Sequence, residues 1–354
     1  MNQKSSTRQL RWKNRPSDSN WGDFGPDDQL GRMNYVDASK VLEGVAEVVH
    51  GKTFCLSLPL DLPGGGELSP GRQPPRLRST VRGGKEFYCY PFENDLPGAR
   101  EVICDDCVTL SLQYSTQWDG FAHCGAYFDA DGDGVEEMVF YNGYRAGEDI
   151  CAGGPTDEPG ELFGTPRAHA LGIENLATHG VQGRGVLVDF RRHFGIKRNG
   201  VDYDALMRVL EADNVEVEKG DMLCFHTGMG QVLTDMAGKP DVPMLRSSFS
   251  GLNGADGRLL KWIDDTGVAA LISDNYAVEL YPADPNARIQ PTHAGLPLHE
   301  FCLFKNGIHL GELWYLTPLA EWLHQNNRSR FLLTAPPLRL PGAIGSPPMP
   351  VATV

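Results

Sequence analysis

A chain of 354 residues can hold one large domain or two ordinary ones. Hydrophobic residues make up 41%, enough for a core, and 41 Gly with 25 Pro favour a turn-rich, β-rich fold over a helical bundle. A net charge of −14 argues against nucleic acid or an anionic membrane as partner.

Residues 1–19 are polar, lack the apolar stretch of a signal peptide, and are expected to form a flexible segment ahead of a domain spanning 20–354. No apolar run is long enough to span a bilayer, so a cytoplasmic location is the default expectation. Residues 37–48 predict a helix, with Asp37 or Ser39 as its cap. Residues 54–60 read as a strand, and 61–85 as a long Pro- and Gly-rich loop of the kind that borders enzyme sites. Residues 100–119 supply further strands, and 129–165 form a Gly-rich excursion near a pocket. Strands are expected at 185–190, 222–226, 268–273 and 331–334, and helices at 204–213, 257–266, 298–305 and 318–325, before a Pro-rich tail. Without strict βαβ alternation, this mixture predicts one α/β or α+β domain around a sheet.

The segment Gln113-Tyr-Ser-Thr-Gln117-Trp-Asp119-Gly-Phe-Ala-His123 carries the most chemistry. If the alternation of Val108, Leu110, Leu112 and Tyr114 continues as a strand, then Gln113, Ser115, Gln117 and Asp119 share one face, with His123 after a bend. Amides, a carboxylate and an imidazole together could hold a cation and a water beside a proton carrier. Spacing alone leaves a solvated strand face equally open.

Other motifs are weaker. Cys104-Asp-Asp-Cys107 has zinc-knuckle spacing but no second pair, and the eight cysteines read mostly as small buried hydrophobes. Asp129-Ala-Asp-Gly-Asp133-Gly134 imitates a calcium loop, but Phe140 stands at its twelfth position, where Glu belongs. A turn between two strands is the better reading. No Gly-x-Ser-x-Gly elbow appears. Cys124 beside His123 is a conceivable nucleophile without an identifiable partner.

The 113–123 segment resembles the signature of the putative cyclase family, His-x-Gly-Thr-His-x-Asp-x-Pro-x-His. Thr116, Asp119 and His123 match in register, while Gln113 and Gln117 take the places of two metal-binding histidines. Asn20-Trp-Gly22, Arg184-Gly-Val-Leu-Val-Asp189, Gly220-Asp221, His226-Thr-Gly228, Asp274-Asn-Tyr-Ala-Val-Glu279, Leu298-His299, Gly311-Glu312-Leu-Trp314 and Gly345-Ser-Pro347 extend the resemblance over almost the whole chain. It implies an α/β swivelling β/β/α domain with a mixed, barrel-like sheet and surrounding helices. It implies metal ligation by Asp119, His299 and Glu312, and a general acid/base role for His123. It also implies a homodimer or larger oligomer.

The departure at Gln113 and Gln117 leaves three outcomes: one ion on Asp119, His299 and Glu312; a harder ion that also takes amide oxygens; or no ion. A single divalent ion, Mn²⁺ or Zn²⁺ with Mg²⁺ as an option, is the expectation. Gln113 and Gln117 are then either ligands or donors to a developing oxyanion, with Gln113 also a substrate contact. Trp21, Trp118 and His226 are candidate contacts for a small ring-shaped substrate. The expected activity is metal-dependent hydrolysis of a small cyclic or aryl amide, formamide or lactone. A lyase or cyclising enzyme using the same base, or a non-catalytic binding protein, is the alternative.

Overall fold

The computed structural model describes residues 11–158, 163–282 and 294–354. Residues 1–10 of the expected flexible segment and 159–162 of the expected Gly-rich excursion lie outside the described residues.

One nine-stranded sheet organises the chain: β1 (Thr53–Cys55), β2 (Gln117–Asp119), β3 (Gln182–Asp189), β4 (Met222–His226), β5 (Ala270–Ser273), β6 (His309–Glu312), β7 (Arg330–Thr334), β8 (Gly345–Ser346) and β9 (Val351–Thr353). Their order is β1-β9-β7-β3-β4-β5-β6-β2-β8. The four central strands β3 to β6 run parallel, and antiparallel strands complete both sides. Their apolar runs suit burial on both faces, and β4 and β5 are buried at every residue. The sheet curls into a half-barrel. Beyond β1, Ser57 bridges Trp314 just after β6, and the Leu58 N–H donates to Thr116 Oγ1 just before β2.

Helices cover the sheet, and local chemistry sets their starts. Helix α1 (Ala38–Ala46) begins where the Asp37 carboxylate accepts from the Lys40 N–H. Helix α2 (Tyr203–Ala212) has the same cap from Asp202, and α3 (Gly257–Thr266) from Asp256. Helix α4 (Thr317–Gln325) carries Pro in its first turn, where the missing N–H costs nothing. Gly44 lets α1 lie directly on β3, because a Cβ there would sit 2.7 Å from the Gly183 carbonyl carbon. The sheet separates two apolar cores, one holding Leu206, Val209, Leu259 and Ile263 of α2 and α3 and the other Leu319 and Leu323 of α4.

Three expectations need correction. Residues 11–19 are not loose: Trp12 is buried against Trp21, and the Lys13 N–H donates to the Ala130 carbonyl. The strand expected through residues 113–119 exists only from Gln117 to Asp119. Before it the chain turns, because Ser115 and Thr116 spend their hydroxyls on the Pro59 and Leu313 carbonyls instead of alternating along a ladder. The Pro-rich tail is not a plain tail, since it supplies β8 and β9.

Candidate functional site

Strand register builds the site. Gln117 and Glu312 are directly opposed across β2 and β6, and Asp119 lies two residues beyond Gln117 on the same face. Glu312 also closes a parallel strand, where open α/β sheets present their ligands. Trp118 points the other way into the core, its indole N–H donating to the Ala335 carbonyl.

Asp119, His299 and Glu312 each offer an atom within 4.8 Å of the others, and all three are buried. Gln117 Nε2 donates to Asp119 Oδ1 at 3.1 Å, Asp119 Oδ2 at 3.3 Å and Glu312 Oε2 at 3.0 Å. His299 arrives on the short helical turn Pro297–His299, which runs on into a π-helical turn over Glu300–Lys305. Its Nδ1 donates to Glu279 Oε1 at 2.8 Å, and its Nε2 lies 3.3 Å from Glu312 Oε1. His123 follows the Gly120 bend, with Nε2 3.9 Å from Asp119 Oδ1 and its ring 6.5 Å from that of His299.

Charge shapes the centre. Burial and then the charge on Asp119 push Glu312 up to about 7, although the His299 hydrogen bond opposes this. Burial would lower His299, but hydrogen bonds to Glu279 and Glu312 outweigh it and hold the ring up at about 10. His309 is the opposite case. Burial takes it down to about 4, so it is neutral, and its Nδ1–H donates to the Asp119 backbone carbonyl at 3.1 Å. Cys124 is no nucleophile: burial, then Glu300, raises its thiol to about 12.

The residues present fit a divalent ion. Two carboxylates and an imidazole nitrogen form a mixed oxygen–nitrogen donor set. The Glu279 contact leaves Nε2 of His299 as the ring atom facing the carboxylates, the arrangement found behind metal-bound histidines. Gln117 Oε1 is buried without a hydrogen-bond partner beside them.

Other candidates lie elsewhere. Gln113 packs against β8 at Gly345, and no hydrogen bond joins its amide to Asp119, Glu312 or His299. Trp21 is a core residue, stacked edge-on against Trp12, Phe128 and Phe304, with its N–H bonded to the Phe304 carbonyl. His226 has both ring nitrogens engaged, by Asp189 and Thr317, and is buried. Trp21, Trp118 and His226 are all buried, with each polar tip satisfied by the protein itself. Asp274 accepts from Thr227 and Gly228 and so holds the turn after β4. Asp129 likewise accepts from the N–H groups of Gly132, Asp133 and Gly134 in the turn between the strands Ala126–Phe128 and Glu137–Val139. Cys104 approaches Cys89, with 3.9 Å between sulfurs, instead of pairing with Cys107.

The sequence carries no signal for His309, and for Glu279 it leaves a supporting role and a purely structural one equally open. Glu279 ends a quoted motif, and only its three bonds to Leu298 N, His299 N and His299 Nδ1 reveal its purpose. A cleft of about 780 Å³ counts Cys124 and Glu300, the chain neighbours of His123 and His299, among its walls, with Ala126, Tyr127, Tyr281 and Leu296.

Comparisons with known proteins agree with this architecture. A family model described as "Putative cyclase" matches residues 56–280. A crystal structure described as a novel cyclase is 29% identical, with a TM-score of 0.71 over 95% of this chain and 97% of its own. Isatin hydrolase A from Ralstonia solanacearum shares the fold at 13% identity, with a TM-score of 0.52 over 88% of this chain and 95% of its own. Isatin hydrolase A from Labrenzia aggregata, bound to benzyl benzoate, does so at 12% identity and a TM-score of 0.52, over 89% and 97%. No curated protein matches the chain.

Proposed function

The chain belongs to the Putative cyclase family, and from that premise we propose that it hydrolyses a small cyclic or aryl amide, formamide or lactone. The observation that carries this reading is the buried meeting of Asp119, His299 and Glu312 with the partly open ring of His123 beside them. Asp119, Glu312 and His299 would hold one divalent ion, Mn²⁺ or Zn²⁺, with Mg²⁺ as an alternative. When bound, the ion supplies Lewis acidity toward a water and toward the scissile carbonyl.

The protein's own groups do the rest. An imidazole nitrogen can both accept and give up a proton, so His123 takes a proton from the water and returns it to the leaving nitrogen or oxygen. Asp119 Oδ1 lies 3.9 Å from the His123 Nε2. Glu279 fixes the ring of His299. Gln117 donates to the two carboxylates, so an oxyanion contact from its amide requires that those bonds open. The cleft bordered by Tyr127, Tyr281 and Leu296 has the size and mixed polarity for a small ring-bearing substrate. Assembly as a homodimer or larger oligomer belongs to the same proposal and is read by sedimentation.

The test is turnover of an aryl formamide and a lactone in ¹⁸O-water, with chelated and reloaded protein. One solvent oxygen in the product carboxylate, lost on chelation and restored on reloading, is expected. Turnover without solvent oxygen would instead favour the lyase or cyclising alternative, and turnover indifferent to chelation would remove the ion from the proposal.

A further inference from the structure

Gln117 carries an imbalance that the hydrolase reading does not use. Its side chain is fully buried. Both amide hydrogens are spent on the carboxylates of Asp119 and Glu312, at 3.0 to 3.3 Å. Its oxygen, in the same buried space, has no hydrogen-bond partner. A buried amide oxygen without a partner is costly, on the order of 1–3 kcal/mol, and such oxygens ordinarily accept a hydrogen bond from a protein group or an ordered water.

The two ends of this amide suit two different occupancies of the centre. An –NH₂ between two carboxylates does part of a cation's work: it places partial positive charge where the anionic oxygens converge. A carboxamide oxygen is a neutral, hard donor that binds Mn²⁺ or Mg²⁺ in the company of carboxylates and adds little for Zn²⁺, which favours nitrogen and sulfur. Rotating the amide by half a turn exchanges one end for the other without moving the backbone of β2. The room is already occupied by the same group, since oxygen and nitrogen differ little in size.

We infer that Gln117 decides which ion the centre accepts. Its amide hydrogens hold Asp119 and Glu312 together while the centre is ion-free, and its Oε1 becomes an oxygen ligand when a hard divalent ion enters. Giving up the hydrogen bonds weakens every ion's binding, and only an oxygen-seeking ion is compensated by the ligand gained. This inference rests on the metal-centre reading above and adds the choice of ion to it.

The experiment is calorimetric titration of chelator-stripped full-length protein with Mn²⁺ and with Zn²⁺, for wild type, Gln117→His and Gln117→Glu. Circular dichroism checks folding, and a crystal structure of the Mn²⁺-loaded wild type completes the set. Gln117→His, which supplies a ring nitrogen, is expected to raise the Zn²⁺-to-Mn²⁺ affinity ratio by about tenfold or more. Gln117→Glu offers oxygen and has no hydrogens to withdraw, so it is expected to bind Mn²⁺ more tightly than wild type and to melt lower when stripped. Gln117 Oε1 is expected in the coordination sphere of the loaded protein. An unchanged ratio in Gln117→His, weaker Mn²⁺ binding in Gln117→Glu, or a loaded structure with Nε2 still on both carboxylates overturns the role of Gln117 while leaving the metal centre standing. Wild type that binds neither ion removes the metal centre itself, and this inference with it.

Discussion

The Nδ1 of His299 donates to Glu279 Oε1 at 2.8 Å, and that one bond aims the other ring nitrogen at Glu312, 3.3 Å away. The same Glu279 accepts the N–H groups of Leu298 and His299, so it starts the helical turn and orients its side chain at once. Glycine at 254 makes this approach possible, since a Cβ there would lie 2.8 Å from Glu279 Oε2.

Replacing Glu279 with Gln should therefore act on the ion. Gln keeps an acceptor for Nδ1 but loses the charge behind the ring. Ion affinity is expected to fall by about 10- to 100-fold, with the melting temperature of stripped protein changing far less. Calorimetric titration of the variant checks this, and unchanged affinity would leave Glu279 a purely structural group.

His123→Ala should separate proton transfer from ion binding. The ring is the partly open imidazole of the site and is hydrogen-bonded to no ligand side chain at short range. Turnover is expected to drop by about 10²- to 10⁴-fold, while ion content measured by elemental analysis stays at the wild-type value. Near-wild-type turnover would dismiss His123 as the base.

Deep charge pairs elsewhere set stability. Asp221 is fully buried and accepts from Arg184 Nε at 2.8 Å, Arg184 Nη2 at 3.0 Å and Lys40 Nζ at 3.3 Å. Asp221→Ala removes the one fully buried partner of Arg184 and Lys40 and leaves them the more exposed Glu43 and Glu218, with an expected cost of about 3 kcal/mol in denaturant unfolding. A loss below 1 kcal/mol would mean that water or Glu218 and Glu43 take over the pairing.

The His226–Asp189 pair makes a pH-dependent contribution. Burial opposes the charge on His226, but the Asp189 hydrogen bond prevails and lifts its titration above the usual 6.5, so its contribution is complete below that value and fades as pH rises through the raised one. Asp189 moves the other way. Burial raises it, the His226 bond lowers it further, and it ends below 3.8, so its contribution is complete above that value and fades as pH falls. The melting-temperature gap between wild type and His226→Gln should thus be widest between pH 3.8 and 6.5 and narrow on both sides. A gap that grows toward alkaline pH would contradict the pairing.

Gly31 and Gly307 meet backbone to backbone, both with positive φ, and a Cβ on Gly31 would lie 2.1 Å from the Gly307 carbonyl oxygen. Gly31→Ala is expected to destabilise by about 1–3 kcal/mol through strain alone, read as a lower urea midpoint. An unshifted midpoint would show that the two segments part easily.

Local chemistry was legible where it is self-contained. Strand Met222–His226 and helix Gly257–Thr266 follow from a β-rich apolar run and from an Asp256 cap with Gly267 in the left-handed region at the far end. The run from Gln113 to Thr116 was misread because its alternating polarity fits a strand and a hydroxyl-braced turn equally well, and the deciding partners, Pro59 and Leu313, lie far away in sequence. Trp21, Trp118 and His226 looked like pocket residues for a similar reason. An aromatic beside a polar motif cannot reveal whether its N–H meets a ligand or a core carbonyl.

By itself the sequence determined the local elements, their order, and the presence of Asp119, His123, His299 and Glu312 in a familiar succession. Only the tertiary structure decided that Gln117 and Glu312, 195 residues apart, stand opposite each other, and that Glu279 belongs to His299. The physical reason is that propensity and capping act over a few residues, whereas strand order and register are set by the burial of whole sheet faces, to which every segment of the chain contributes.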